Sequence, residues 1–444
     1  MSELAKTLES IVGPEHLLAD TDARRYAVDG VVPTAVAFPG SVEEVSAVLA
    51  ACSEAKAGVV PWGGGAHMGL GGVPKRVGVV LGLGRLNQML EHEPEDMTST
   101  VQAGMTLAGC QARLSCQGQL LGLDPPGGDR ATIGGILAAN ASGLRRLRYG
   151  TARDLLIGLR VAHADGTVTK GGAKVVKNVT GYDMNKLYVG SLGTLGVIVE
   201  ATFRLHPVPA CERTWVAAFS TAASARCVVA RILDSPIVPS ALELLSETAA
   251  REVGRRMGVT SEVRGAVLAL AIASVPEAVD AQIRAAQGMV GEAGDHEVLE
   301  GPAHEAFWAA AREFDPGDGP AVVLKASVLL DKVGEAMEYG ERLAEQHGLH
   351  VAVISEAGTG VLRFYYRADD GVGGEARLVD VVEPLRTFAV QAKGSLVVLD
   401  APVGVKKRVD VWGPPGKDFA LMRGLKEQFD PGKILNPGRF VGEL

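Results

Sequence analysis

Pro61 to Gly72, PWGGGAHMGLGG, sets six glycines among twelve residues directly after the short apolar run AGVV. Consecutive glycines permit positive φ and remove Cβ, so successive backbone N–H groups can converge on an anion. A second segment, DPPGGDRATIGGILAANASG (Asp124–Gly143), lets Thr132 cap a helix whose first N–H groups, at Ile133, Gly134 and Gly135, would face a phosphate. A third, KNVTGYDMNKLYVGSLGTLGVIVEATFRL (Lys177–Leu205), joins a short helix, a glycine turn and an apolar strand able to lie along a flat ring. Two phosphate-facing loops suit a diphosphate. No G-x-G-x-x-G stands between a strand and a helix with a later acidic residue, and no GK[ST] follows the glycines, which excludes the Rossmann and Walker patterns.

The remaining composition narrows the partners. With 444 residues, 47% hydrophobic and 22% charged, the chain is a soluble globular protein of two or three domains, and its net charge of -8 provides no overall basic field for nucleic acid. Cys52, Cys110, Cys116, Cys211 and Cys227 show no metal-binding spacing and suit a reducing cytoplasm. MSELAKTLESIVG lacks the apolar run of a signal peptide, and the longest apolar stretch, GAVLALAIASV (Gly265–Val275), falls short of the roughly 20 residues that span a bilayer. The expectation is a cytoplasmic protein that reaches a membrane only through partners.

Periodicity divides the chain. SVEEVSAVLAACSEA reads as a helix capped by Ser41 with Glu44 in a capping box and Val45, Val48, Leu49 and Cys52 on one face. Short β-branched runs broken by Gly, Asp or Pro continue to about Pro209. Beyond it, longer helical and strand-like units alternate, consistent with helices packed on a mostly antiparallel sheet. The expected boundaries are 1–209, 210–410 and a tail, 411–444, whose FDPGKILNPGRF returns to the first domain.

In this order the three glycine segments resemble the FAD-binding domain of the vanillyl-alcohol oxidase and p-cresol methylhydroxylase family. DPPGGDRATIGGILAANASGLRRLRYGTARDLLIGL and VVKNVTGYDMNKLYVGSLGTLGVI are most similar to the FAD-binding (E-type) subunits of bacterial glycolate oxidases. The resemblance covers roughly residues 30–209 and the tail. It implies an α+β fold: a two-part FAD-binding domain and an α+β cap with a mostly antiparallel sheet. It implies that Gly63, Gly64, Gly65, Ala66 and His67 form the pyrophosphate loop, and that Thr132, Ile133, Gly134, Gly135, Ser142 and Gly143 hold phosphates and ribityl chain. Gly196, Val197 and Ile198 would run beside the flavin or adenine, and Asn436 would close the site. Some relatives bond a loop histidine to the flavin, but that position aligns with Ala66, so His67 is expected to donate through its backbone and FAD to be non-covalent. Arg145, Arg146 and Arg148 form either a solvated basic face or a flavin or partner contact.

Related D-2-hydroxy-acid dehydrogenases carry H-x-G-D-G-N-x-H and a later E-H-G at a divalent metal. The matching stretch here is SEAGTGVLR, with Glu356 and Arg363 at the histidine positions and Thr359 at the acidic one, and GSLVVLDAP has no histidine. No metal site is expected. A guanidinium has no lone pair for a metal, and Glu356 and Arg363 can pair across a hairpin. His347 and His350 read as surface groups; Tyr365, Tyr366, Lys325 and Glu243 carry no assigned role, leaving the catalytic residues unknown. The resemblance implies an FAD subunit of a glycolate- or D-lactate-oxidising complex, working with a D-type flavin subunit and an iron–sulfur subunit. Two alternatives stay open: a self-sufficient FAD oxidoreductase on another substrate, and a structural subunit with a vestigial flavin pocket.

Overall fold

The computed structural model describes residues 3–173, 182–259, 263–290, 295–369 and 373–444. The start of the third glycine segment, 177–181, lies outside them. The chain divides into one unit of residues 1–142, 150–208 and 414–444 and a second of residues 143–149 and 209–413.

Among the described residues, the first unit has strands β1 (Leu17–Ala19), β2 (Ala35–Ala37), β3 (Val59–Trp62) and β4 (Val79–Gly82) in the order β1-β2-β4-β3. β2, β4 and β3 run parallel, with the helix Val42–Glu54 as the crossover between β2 and β3. Ser41 caps that helix by accepting the Glu44 N–H at 3.1 Å, while the Glu44 carboxylate accepts from the Gly40 N–H, one residue before the expected partner. Val45, Val48, Leu49 and Cys52 bury the face the pattern anticipates.

The second sheet of this unit is antiparallel. Its strands β5 (Met89–Glu93), β6 (Thr98–Gln102), β8 (Leu156–Ala162), β9 (Val168–Gly172) and β10 (Val197–Arg204) take the order β5-β6-β10-β8-β9, while β7 (Gln119–Leu120) pairs with β11 (His206–Pro207). Helices Leu107–Ser115 and Ile133–Ala139 share its apolar core. The tail extends the first sheet: the Val59 N–H donates to the Ile434 carbonyl at 2.7 Å and the Asn436 N–H to the Val59 carbonyl at 2.8 Å. A buried ion pair locks it there. Lys426 donates to Asp430 at 2.6 Å, to the Thr194 carbonyl at 2.8 Å and to the Leu435 carbonyl at 2.9 Å, while Asp430 accepts the Ile434 and Leu435 N–H groups.

The second unit is built on an eight-stranded antiparallel sheet. In chain order its strands are β12 (Cys211–Phe219), β13 (Ala241–Leu245), β14 (Ala266–Ser274), β15 (His296–Glu300), β16 (Ala321–Ser327), β17 (His350–Glu356), β18 (Val361–Arg367) and β19 (Ser395–Asp400). Their spatial order is β15-β12-β14-β13-β17-β18-β16-β19. The apolar stretch at Gly265–Val275 becomes β14, buried on both faces: Leu268, Leu270 and Ile272 meet the larger core, Val267, Ala269 and Ala271 the smaller. Such a run marks a strand covered on both sides.

Residues 143–149 join this unit because their side chains belong to it. Leu144 enters the smaller core, Leu147 lies over Gly358 so closely that a Cβ there would sit 2.6 Å from it, and Arg145 pairs with Glu212 at 2.9 Å. No described helix is long and apolar enough to cross a membrane.

Replacing Asp430 with Ala strands the Lys426 ammonium in the interior. The expected loss is about 3–5 kcal/mol of stability. Denaturant unfolding of the variant measures it, and a loss under about 1 kcal/mol, the scale of an exposed pair, would show that the tail is held by other contacts.

Candidate functional site

A cleft opens in the first unit, at the carboxyl end of β3. Of the residues singled out in the sequence, Gly63, Gly64, Gly65, Ala66, His67, Thr132, Gly134, Gly135, Val197, Ile198 and Asn436 line it together. The loop after β3 approaches the segment before the helix Ile133–Ala139 without room for side chains. A Cβ on Gly64 would lie 1.7 Å from the Arg130 carbonyl oxygen, and one on Gly63 would lie 2.1 Å from Thr132 Oγ1. Gly65 adopts φ +77°, open to glycine at no cost. The N–H groups of Gly64, Gly65 and Ala66 meet no protein acceptor among the described residues. Successive unsatisfied donors on one loop form an anion-binding concavity.

The second glycine segment contributes differently from the expectation. Thr132 caps its helix, accepting the Gly135 N–H at 3.3 Å. The Ile133 and Gly134 N–H groups, however, donate to the Met105 and Ala103 carbonyls at 2.9 and 2.7 Å, so none of the three awaits a phosphate. These glycines serve close packing: a Cβ on Gly134 would meet Ala103 Cβ at 2.8 Å. Ile133 buries its side chain in the core, and Gly196 is required by Val161, 2.4 Å from where its Cβ would stand. Neither lines the cleft, nor does Ser142, and Gly143 belongs to the second unit.

Asn436 stands at φ +47° and donates its side-chain N–H to the Leu192 carbonyl at 2.6 Å. Its Oδ1 is buried without a protein donor among the described residues. Such an atom invites a ligand N–H. Sequence reasoning stopped one turn short of Arg439, whose guanidinium donates to the Met68 carbonyl at 2.7 Å and to that of Leu70, is 2% exposed, and lines the same cleft. Burial pushes its pKa down, with Asp29 opposing, yet an arginine remains cationic. The signal was present in the tail's NPGR, directly after the asparagine. Pro61, Leu70, Leu83, Ala138 and Leu192 supply apolar walls.

Comparison with known proteins decides what this cleft takes. Residues 33–172 match the family of FAD binding domains and residues 208–440 the C-terminal domain of FAD linked oxidases. The chain belongs to the FAD-linked oxidase family. It is 30% identical over 421 residues to a D-2-hydroxyglutarate dehydrogenase of Xanthomonas citri pv. viticola, covering 92% of this chain and 89% of that one. It is 27% identical over 464 residues to the glycolate oxidase subunit GlcD of Bacillus subtilis, covering 99% and 97%. Among solved structures, p-cresol methylhydroxylase superposes with a TM-score of 0.79 at 17% identity, over 98% of this chain and 96% of that one. That likeness shows the fold. As an FAD-linked oxidoreductase the chain takes FAD as cofactor, and the lining of the cleft fits it: unsatisfied amide donors, a buried cation, an orphan acceptor and apolar walls occur in one concavity.

In the FAD-linked oxidase C-terminal domain, Glu356 ends β17 and Arg363 lies in β18. The register sets Glu356 opposite Val361 and Arg363 opposite Ile354, so the two are diagonal neighbours on one face, and the guanidinium spans the diagonal at 2.9 Å. Arg146 reaches the other Glu356 oxygen at 3.6 Å, and Thr359 donates to that oxygen at 3.1 Å. Lys325 stands directly opposite Arg363, and Glu243 directly opposite Glu356. Burial, then the Arg363 and Arg146 guanidinium groups, bring the Lys325 pKa down to about 8 against the pull of Glu356. Tyr366 donates to the Gly340 carbonyl at 2.9 Å from the opposite face, whereas Tyr365 packs on Phe314 with centroids 4.6 Å apart. His350 pairs with Asp369 at 3.0 Å at the surface.

Two outcomes follow from this geometry. Purified protein is expected to release FAD on acid precipitation, and Gly64→Ala, whose Cβ overlaps the Arg130 carbonyl, to lose flavin and about 1–3 kcal/mol of stability. Flavin content and thermal unfolding report both, and a normal flavin content in the variant would remove the loop from the site. Lys325→Met is expected to unfold at a higher temperature than wild type at pH 7. The unfolded lysine holds its proton up to its ordinary pKa of 10.5 and the folded one only to about 8, so wild-type stability rises between those values and the gap narrows. A gap independent of pH across that window would refute the assignment.

Proposed function

We propose that this FAD-linked oxidoreductase is the FAD-binding subunit of a multi-subunit complex that oxidises a small 2-hydroxy acid, glycolate or D-lactate. The observation that carries the reading is the match along both units to proteins named for such oxidations, the glycolate oxidase subunit GlcD of Bacillus subtilis and, at 29% identity over 471 residues, a D-lactate dehydrogenase of Archaeoglobus fulgidus. When bound, FAD supplies the two-electron acceptor. The chain's own residues would hold it: the Gly64, Gly65 and Ala66 amides would take the pyrophosphate charge, Arg439 would balance it, and Asn436 Oδ1 would accept an N–H of the cofactor.

The reading of the chain as one subunit among several has two supports. Glu356 and Arg363 are committed to each other, so neither offers a metal the lone pairs with which it polarises a hydroxyl. The cysteines are scattered, and Cys52 and Cys110 are buried thiols raised to about 12, unsuited to ligating an iron–sulfur cluster. A D-type flavin subunit and an iron–sulfur subunit would supply what is missing, and the chain would meet a membrane only through them, on the cytoplasmic side.

Anaerobic flavin reduction tests this. The FAD-loaded chain alone should bleach slowly with glycolate or D-lactate, added Zn²⁺ or Mn²⁺ should not accelerate it, and rapid reduction should appear when partner subunits are co-purified. Bleaching of the lone chain at rates of order 1–10³ per second, those of competent enzymes, would instead establish a self-sufficient oxidoreductase.

A further inference from the structure

The turn 190–195 of the first unit brings Leu192 and Gly193 to the wall of the cleft, and it is strained. Gly190, Leu192 and Gly193 take φ of +83°, +51° and +69°, a conformation unfavourable for leucine. Such a turn persists only where its neighbours tie it down. The Gly190 and Leu192 N–H groups donate to the Leu137 and Ala138 carbonyls, both at 2.9 Å. The Leu192 carbonyl accepts from the Asn436 side chain and the Thr194 carbonyl from Lys426, both of the tail. At Leu195 the tie is a histidine.

His163 directly follows β8, continues the alternation that carries Leu159 and Val161 into the core, and is itself buried. An apolar residue would suit that position. The imidazole instead bonds Thr169 Oγ1 at 2.7 Å through Nε2 and donates to the Leu195 carbonyl through its other nitrogen. Its ring stacks on Phe429, the last residue of the tail helix, with centroids 5.8 Å apart, and Tyr188 packs on both rings. A neutral imidazole has one donor and one acceptor. With the donor on Leu195, Nε2 accepts from the Thr169 hydroxyl, so the neutral form satisfies every bond, and a second proton would set two donors face to face.

Burial holds the His163 pKa below its ordinary 6.5, against Asp165 and the Leu195 carbonyl. Thr169 is exposed, so protons reach the ring from solvent. The charges on the surrounding elements stay constant near neutral pH. Bonds from Thr167 hold Asp165, on the same turn, below the usual carboxylate range, and burial keeps Tyr188 protonated. Asp183 and Lys186 pair with each other at 3.0 Å, Lys426 is committed to Asp430, and Lys170 of β9 shares the opposite sheet face with Arg160. The helix Val42–Glu54 meets the turn through the uncharged Ser46 and Ala50.

We propose that His163 is a positioning residue for the flavin cleft: as a neutral imidazole it holds the turn 190–195 against the tail helix, and on protonation it loosens both, so that FAD is bound more weakly in acid. The inference rests on FAD as the occupant of the cleft and on no substrate or partner. A free imidazole takes its proton at 6.5 and the docked one only at lower pH. The contribution of His163 is therefore complete above 6.5 and is lost as the pH falls below it.

Dilution of the FAD-loaded full chain at pH 7.5 and at pH 5.5, with released flavin read from its fluorescence, tests it. The variants are His163→Phe, which keeps an aromatic ring without a proton to gain, and His163→Asn, which keeps a donor toward Leu195. Wild type should hold FAD roughly 2- to 10-fold more weakly at pH 5.5, the effect of one hydrogen bond, and both variants should show little change between the two pH values. His67 also lines the cleft, and His67→Asn should keep the wild-type ratio whatever its affinity. By linkage FAD opposes the proton, so the NMR titration of His163 should move to lower pH when FAD is added to the flavin-free chain. A histidine that only stabilises the fold would titrate alike with and without FAD. Equal affinity of wild type at both pH values, an unchanged ratio in either His163 variant, its loss in His67→Asn, or a His163 titration indifferent to FAD would overturn the proposal. A wild-type chain that purifies without FAD and binds none would remove the cofactor assignment together with this role.

Discussion

The first unit depends on a backbone contact that admits no side chain. At Gly63 and Gly64 the chain leaving β3 runs against the Arg130–Thr132 segment so closely that any Cβ would overlap it. This contact turns the following amides of Gly64, Gly65 and Ala66 toward the cleft with no protein acceptor of their own. Unsatisfied N–H groups are costly in a folded protein. They persist because the loop is fixed by the neighbouring segment, whose own amides at Ile133 and Gly134 are in turn satisfied by Met105 and Ala103. One glycine segment is thus the receptor and the other its support.

The tail completes the same arrangement. Asp430 and Lys426 bury a charge pair that ties the last turn of a helix to the backbone of Ile434, Leu435 and Thr194. With that turn held, Asn436 and Arg439 enter the cleft, one presenting an unsatisfied oxygen and the other a buried cation. The helix Phe419–Phe429 is thus anchored by the buried charge of Lys426 together with Phe429, which packs on the core against His163 and Tyr188.

In the second unit the physics is different. The sheet is buried on both faces along β14, large residues to one side and small to the other, which places a charged island in otherwise apolar surroundings. There each charge is felt strongly by the next: Glu356 is shared by two guanidinium groups and stands opposite Glu243, while burial and the two guanidinium groups lower the Lys325 pKa against the pull of Glu356.

Much of this was legible in the linear sequence because local chemistry suffices for it. The helix capped by Ser41, with Val45, Val48, Leu49 and Cys52 on its buried face, and the meeting of the glycine loop with the tail's NPGR follow from periodicity, capping and backbone freedom. What tertiary structure alone decided are the matters of hydrogen-bond competition and of register. Whether the amides of Ile133 and Gly134 face a ligand or a neighbouring strand end depends on Met105 and Ala103, distant in sequence. Glu356 and Arg363 meet on a diagonal set by the hairpin's pairing, Lys325 joins them from a strand whose register no local signal encodes, and residues 143–149 leave the unit on either side of them because Leu144 and Leu147 find apolar partners far along the chain. Spacing along a chain determines which groups a segment can offer; only packing determines which of them remain unspent.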